Sequence, residues 1–208
     1  MSVKVITVGR EFGSGGRSVG KAVAAALGWD YYDQELVRHV AEKTGFAERY
    51  IEETGEYSAS KSRLAYAFSS VGSPEVMNGL SASDYLWTVQ RKVILDLAEK
   101  GNCVIVGRCA DVILKDYHPL NLFVYANAES KIQRCIDRAP EGEHLSRNDI
   151  ARRMKQVDKN RAQYRQMFAD SKWGAKETYH LCVNTSGHQI KDLIPGLAAF
   201  VRCWYGEK

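Results

Sequence analysis

Apolar and polar positions along this chain switch repeatedly between the strand period and the helix period. Val3 to Val8 is a short β-branched run stopped by Gly9, the pattern of a buried strand. Ser18 to Leu27 follows at helical spacing and closes on Gly28. Trp29 to Asp33 is short and aromatic and predicts a second strand. Gln34 to Lys43 predicts a helix with Leu36, Val37 and Val40 on its apolar face. The pattern weakens from Thr44 to Ser83. There Phe46 to Thr54 and Ser60 to Phe68 read as helices, with loops at Ser69 to Pro74 and around Gly79 to Ser81. Such a region is a natural place for a mobile substrate-binding subdomain.

Regular periods return at Ser83 to Lys100, a long helix with Leu86, Val89, Val93, Ile94 and Leu97 on one face. Cys103 to Val106 is a strongly apolar strand ending in Gly107-Arg108, and Ala110 to Leu114 begins a short helix. Leu120 to Tyr125 is the next strand, and Ser130 to Arg138 a helix carrying Lys131, Arg134 and Arg138. After the turn-rich Ala139 to His144, a charged helix runs from Ser146 to about Phe168, with Ser146 as N-cap and Asp149 three residues on. Tyr179 to Val183 is the last strand and Gln189 to Trp204 the closing helix. Strands alternating with helices imply an α/β domain with a parallel sheet covered on both faces. Ligands of such sheets bind at the carboxyl ends of the strands. That edge carries Gly9 to Ser18, Asp33, Gly107-Arg108 and the segment after Tyr125.

The most informative stretch is Thr7-Val8-Gly9-Arg10-Glu11-Phe12-Gly13-Ser14-Gly15-Gly16-Arg17-Ser18. Strand, glycine-rich turn and helix together aim unpaired backbone N–H groups and a positive helix end at an anion. This is the geometry of a P-loop, whose usual pattern is G-x-x-x-x-G-K-[ST]. Counted from Gly15, Gly16 stands where the lysine is expected and Arg17 follows one position later. Arg17 offers the missing charge as a planar fork rather than a point charge. Its bland alternative is a surface arginine on the first helical turn. Ser18 either caps the helix or approaches a metal.

Composition narrows the picture. At 208 residues, 45% of them hydrophobic and 26% charged, the chain suits one domain, residues 1–208, with a sizeable core. The net charge of +4 fits anionic small molecules and does not by itself argue for nucleic acid. Five cysteines show no C-x-x-C spacing, so neither a zinc site nor a disulfide framework is indicated, and Cys103 and Cys182 read as buried strand thiols. The five histidines show no metal spacing. The absence of a signal peptide or a spanning apolar run makes the cytoplasm the expected location, with no membrane partner.

Four segments together resemble the cytidylate kinase-like family of P-loop phosphotransferases, within the nucleoside monophosphate kinase group. They are Ile6 to Arg17; Val106-Gly107-Arg108; Asp158-Lys159-Asn160-Arg161-Ala162-Gln163-Tyr164; and Tyr179 to Ser186 with its Asn184-Thr185-Ser186. The resemblance implies a three-layer α/β/α fold with a five-stranded parallel sheet, an acceptor-binding subdomain near residues 34–83 and a lid near 138–153. It implies ATP with Mg2+ as donor, and CMP or dCMP as nominal acceptor. By position, Gly13, Ser14, Gly15, Gly16, Arg17 and Ser18 would cradle the donor phosphates. Arg38, Arg108, Asp158 and Arg161 would hold the acceptor, and Arg138, Arg152 and Arg153 would be lid arginines. True cytidylate kinases have a P-loop lysine and an aspartate after the Gly-Arg; here Gly16 and Cys109 stand in those places.

Phosphoryl transfer needs positioning and positive charge more than covalent work. In this reading Arg17, Arg138 and Arg153 supply the charge. Glu11 either takes a proton from the acceptor or positions magnesium through water, or it pairs with Arg10 or Arg17 to stiffen the loop. Asp33 either orients the acceptor or caps the following helix. Asp158 and Arg161, at i and i+3, form an intrahelical pair or bind a ligand from one helix face. The alternatives to a nucleotide kinase are a nucleotide-binding regulatory protein without turnover and a kinase of a non-nucleotide small molecule. A homodimer is compatible with the sequence, which does not specify it.

Overall fold

β1 (Val5–Arg10) is the middle strand of an all-parallel sheet in the order β2-β3-β1-β4-β5. Its neighbours are β3 (Cys103–Val106), aligned Val5 to Cys103, and β4 (Leu120–Tyr125), aligned Ile6 to Leu120. The edges are short: β2 (Asp30–Tyr32) lies beside β3, and β5 (Leu181–Asn184) beside β4. The computed structural model describes residues 3–46, 48, 82–140 and 146–207. The helices expected between residues 46 and 68, the loops at 69–74 and 79–81, and the turn at 141–144 otherwise lie outside the described residues.

Strand alternation divides the core in two. Ile6 and Val8 of β1, Val104 and Val106 of β3, and Leu120, Leu122 and Val124 of β4 face one way. They pack on α1 (Gly16–Leu27) and α7 (Ile190–Trp204) through Val19, Val23, Ala24 and Val201. Val5, Cys103 and Ile105 face the other way, toward α2 (Gln34–Thr44), α3 (Ala82–Glu99) and α4 (Ala110–Ile113). The result is three layers, helix on sheet on helix, as the sequence pattern predicts. No helix among the described residues is long and apolar enough to cross a membrane.

Several boundaries differ from the sequence reading for local reasons. α1 begins at Gly16 rather than Ser18, because Gly15 takes the N-cap position in a left-handed conformation. α5 (Ala128–Asp137) begins two residues early because the Asn127 side chain accepts from the Ser130 N–H at 2.8 Å. Ser146 does cap α6 (Arg147–Gln166), accepting from the Asp149 N–H at 3.1 Å. β5 begins at Leu181 because a 3-10 turn over Lys176–Thr178 sends the Tyr179 ring under Phe123, with centroids 4.8 Å apart. Cys103 is buried, and burial pushes its thiol up to about 12. Cys182 is only half-buried, contrary to expectation, because its strand is at the edge of the sheet.

One ion pair ties the far face together. Arg165 on α6 is 4% exposed and donates to Asp111 on α4 at 2.6 Å and to the Ser171 carbonyl at 3.1 Å. Breaking one side of a buried pair leaves the other charge stranded. Asp111→Ala is therefore expected to cost about 3 kcal/mol. The measurement is the urea midpoint at constant slope. A loss indistinguishable from that of an exposed pair would show that Arg165 finds other compensation.

Candidate functional site

The chain leaves β1 and folds into a loop too tight for side chains. The Glu11 N–H donates to the Val124 carbonyl at 2.9 Å, and the Ser14 N–H and Oγ both donate to the Glu11 carbonyl, at 3.3 and 2.8 Å. Gly13 and Gly15 have φ of 74° and 82°, the left-handed region that glycine enters without cost. Gly15 offers no side-chain acceptor, so the first N–H groups of α1 face outward from a helix end that carries partial positive charge.

Gly16 settles where a cation can sit. A Cβ added there would lie 2.4 Å from the Arg10 Cβ and 3.4 Å from the Val124 Cβ. No lysine fits at position 16. Arg17, one position further into α1, is the next residue able to carry the charge.

Two distant segments brace this loop. Asp158 Oδ1 accepts from the Phe12 N–H at 2.8 Å and from Arg161 Nη1 at 3.1 Å. Arg161, buried, also donates to the Arg10 carbonyl at 3.0 Å. The intrahelical pair read from the sequence is present, and it grips loop backbone as well. Burial pushes the Asp158 carboxyl up, while Arg161 and the Phe12 N–H pull it down. From the other side, Arg134 on α5 donates to Thr185 Oγ1 at 2.9 Å and to the carbonyls of Thr185 and Ser14. Thr185 Oγ1 donates to the Ser14 carbonyl at 2.8 Å. Arg134 and Thr185 were not among the candidate site residues; their signals were the basic positions of the 130–138 helix and the Asn-Thr-Ser run.

The candidate charges at the mouth are distributed as follows. Arg17 Nε lies 2.8 Å from Asp33 Oδ2, and the Tyr31 hydroxyl donates to the Arg17 carbonyl at 3.3 Å. Asp33 therefore does not cap α2: its side chain makes no capping bond, because it is turned toward Arg17. Burial, with Asp33 next, pushes the Tyr31 phenol up. Glu11 pairs with neither Arg10 nor Arg17 but with Lys131, at 2.8 Å, and also accepts from the Ala126 N–H. Arg138 donates to Ser18 Oγ at 3.2 Å, and the Arg153 guanidinium lies 5.6 Å from the Phe12 ring centre. Arg152 pairs instead with Asp149 on the surface. Arg38 is exposed on α2, and Arg108 is buried at the end of β3.

Gly107, Arg108 and Cys109 follow one another in the left-handed region, with φ of 74°, 59° and 53°. For non-glycine residues this costs roughly 1–2 kcal/mol each. Gln90 holds the turn, donating to the Arg108 carbonyl at 3.3 Å and to the Tyr164 hydroxyl at 2.8 Å. Two clefts flank the loop. One, of about 290 Å³, is lined by Phe12, Gly13, Cys135, Arg138, Ile150 and Arg153. The other, of about 460 Å³, lies between α5 and the segment from Gly187 to Lys191 and shares Arg138.

Residues 5–187 match the model of the cytidylate kinase-like family. No curated protein matches the chain. Among solved structures, an uncharacterized protein from Eubacterium ventriosum is similar at 25% identity and a TM-score of 0.68, over 95% of this chain and 98% of that one. A shikimate kinase from Bacteroides thetaiotaomicron is similar at 15% identity and a TM-score of 0.56, over 96% of this chain and 99% of the other. A gluconokinase from Sinorhizobium meliloti reaches 16% and 0.51, over 98% and 97%. The two kinases share the fold.

The steric reading of position 16 has a direct test. Gly16→Lys places a lysine right after Gly15, and is expected to destabilise the protein by about 1–3 kcal/mol through overpacking against Arg10 and Val124. Thermal and urea unfolding would measure it. A variant as stable as the parent would show that the loop opens to admit a side chain there.

Proposed function

The chain belongs to the cytidylate kinase-like family, and on that premise we propose that it transfers the γ-phosphoryl group of ATP to a small nucleotide-like acceptor, with CMP and dCMP the first candidates. The observation that carries this reading is the open amino end of α1, set in a glycine cradle and bordered by Arg17, Arg138 and Arg153. Such a cradle suits a polyphosphate, because its backbone N–H groups are already aimed and need no reorganisation on binding.

The residues present fit the donor. Gly13 to Ser18 would wrap the phosphates, and the cleft between α5 and Gly187 to Lys191 would take the base. Mg2+ would arrive on the nucleotide, and Ser18 offers a hydroxyl on the first turn of α1 to hold it. ATP supplies the phosphoryl group. The protein's part is to hold the phosphates in line, neutralise charge on the moving group and exclude water. Arg17 would leave Asp33 for the phosphates. Arg138 and Arg153, on the lid segment 138–153, would close over them. In this reading the acceptor enters by way of residues 34–83 and meets Arg38 and Arg108, while Asp158 and Arg161 hold the loop against it. Glu11 is engaged by Lys131.

A non-nucleotide acceptor is the second reading, and position 109 favours it. A buried thiol replaces the aspartate of true cytidylate kinases, and the nearby Asp111 is committed to Arg165. Radiolabelled phosphate transfer from ATP with Mg2+ tests both readings over a panel of CMP, dCMP, UMP and small hydroxy acids and sugars. Transfer to CMP or dCMP is expected, with Arg17→Ala lowering kcat about a hundredfold. Transfer confined to a hydroxy acid or sugar would favour the second reading. ATP binding without transfer to any acceptor would leave a nucleotide-binding role alone.

A further inference from the structure

A carboxylate inside a phosphate-binding loop works against the loop's task, since it repels the ligand the backbone is shaped to receive. Glu11 is such a carboxylate. It sits on the turn that Ser14 closes, four residues before the N-cap Gly15. Its Oε2 lies 2.8 Å from Lys131 Nζ and accepts from the Ala126 N–H at 3.3 Å. The Lys131 side chain is 12% exposed, too buried for a casual surface pair. Its helix also touches the loop directly: a Cβ on Gly13 would lie 3.0 Å from the Lys131 carbonyl oxygen and 3.2 Å from the Lys131 Cβ. The other charged groups beside this pair are Asp158, which senses both Glu11 and Lys131, and Arg161 paired with Asp158.

Resting on the reading of this loop as the donor-phosphate site, we propose that Lys131 is a positioning residue that cancels the Glu11 carboxylate, so that the loop presents positive charge to a polyphosphate. Lys131 acts through Glu11 and does not touch the phosphates. The two side chains carry opposite charges 120 residues apart in sequence, and each makes sense at this place only with the other. With the ammonium removed, a partly buried carboxylate faces an incoming polyanion across one loop, where water screens poorly. With both charges removed, nothing remains to repel it.

Titration calorimetry of the whole chain with inorganic tripolyphosphate, and separately with ATP and Mg2+, tests the idea. The proteins are the parent, Lys131→Met, Glu11→Gln and the double variant, each checked for its melting temperature. Lys131→Met is expected to weaken tripolyphosphate binding about tenfold. Glu11→Gln keeps an amide oxygen for the Ala126 N–H, and the double variant is expected to return to within about threefold of the parent. A merely structural pair would lower the melting temperature of Lys131→Met without that rescue. Equal binding by Lys131→Met and the parent would overturn the proposal. So would a double variant as weak as Lys131→Met, which would place Lys131 on the phosphates themselves. A parent that binds neither probe would overturn the donor-loop reading, and the role of Lys131 with it.

Discussion

Everything at this site hangs on the carboxylate of Asp158, which sits between the Phe12 N–H and the Arg161 guanidinium. A glycine-rich loop loses more conformational freedom on ordering than any other kind of segment. It keeps one shape only if something outside it holds the backbone. Arg161 grips the Arg10 carbonyl and Asp158 the Phe12 N–H, so α6 clamps the start of the turn. Arg134 and Thr185 clamp its end at the Ser14 carbonyl. Between these two clamps the open N–H groups of α1 are fixed in direction before any ligand arrives, which is the preorganisation that electrostatic catalysis requires.

The cations around the loop fall into two kinds. Arg134 and Arg161 spend their donors on carbonyls, a hydroxyl and a carboxylate of the protein, and they belong to the scaffold. Arg17, Arg138 and Arg153 are exposed and held by single contacts, to Asp33, to Ser18 and to the Phe12 ring. An exposed ion pair contributes little to stability and is readily exchanged for a stronger anion. That difference, more than nearness to the loop, separates arginines able to change partners from those that are not.

Much of this was legible in the sequence, and what was not has a common cause. The strands were readable because burial on both faces makes β1, β3 and β4 short continuous apolar runs. The loop was readable because only glycine tolerates its dihedral angles. Why position 16 is a glycine was not legible, since the reason is the Arg10 Cβ folding back on it, a contact that no spacing rule encodes. The structural alternatives for Glu11 and Asp33, a pairing with Arg10 or Arg17 and a cap on α2, missed their partners in the same way. Each was weighed against neighbours in sequence, whereas Lys131 lies 120 residues from Glu11. Asp33 meets Arg17 because β2 and the start of α1 come together at the carboxyl edge of the sheet. Local periodicity reports which face is buried; it does not report which distant charge waits there.

The bracing of the loop also bears on the order in which the protein is made. Its glycines lie near the amino end, yet the bonds that shape them close over 120, 146 and 171 residues, to Arg134, Asp158 and Thr185. Contacts of such separation form late, after the intervening chain has been brought to hand. During synthesis the loop is made before every segment that braces it, and it is among the last parts of this domain to take its shape. A nascent chain lacking residues beyond about 160 has β1 but nothing to clamp the Ser14 carbonyl from Thr185. The loop therefore takes its full set of braces only once the last strand is in place.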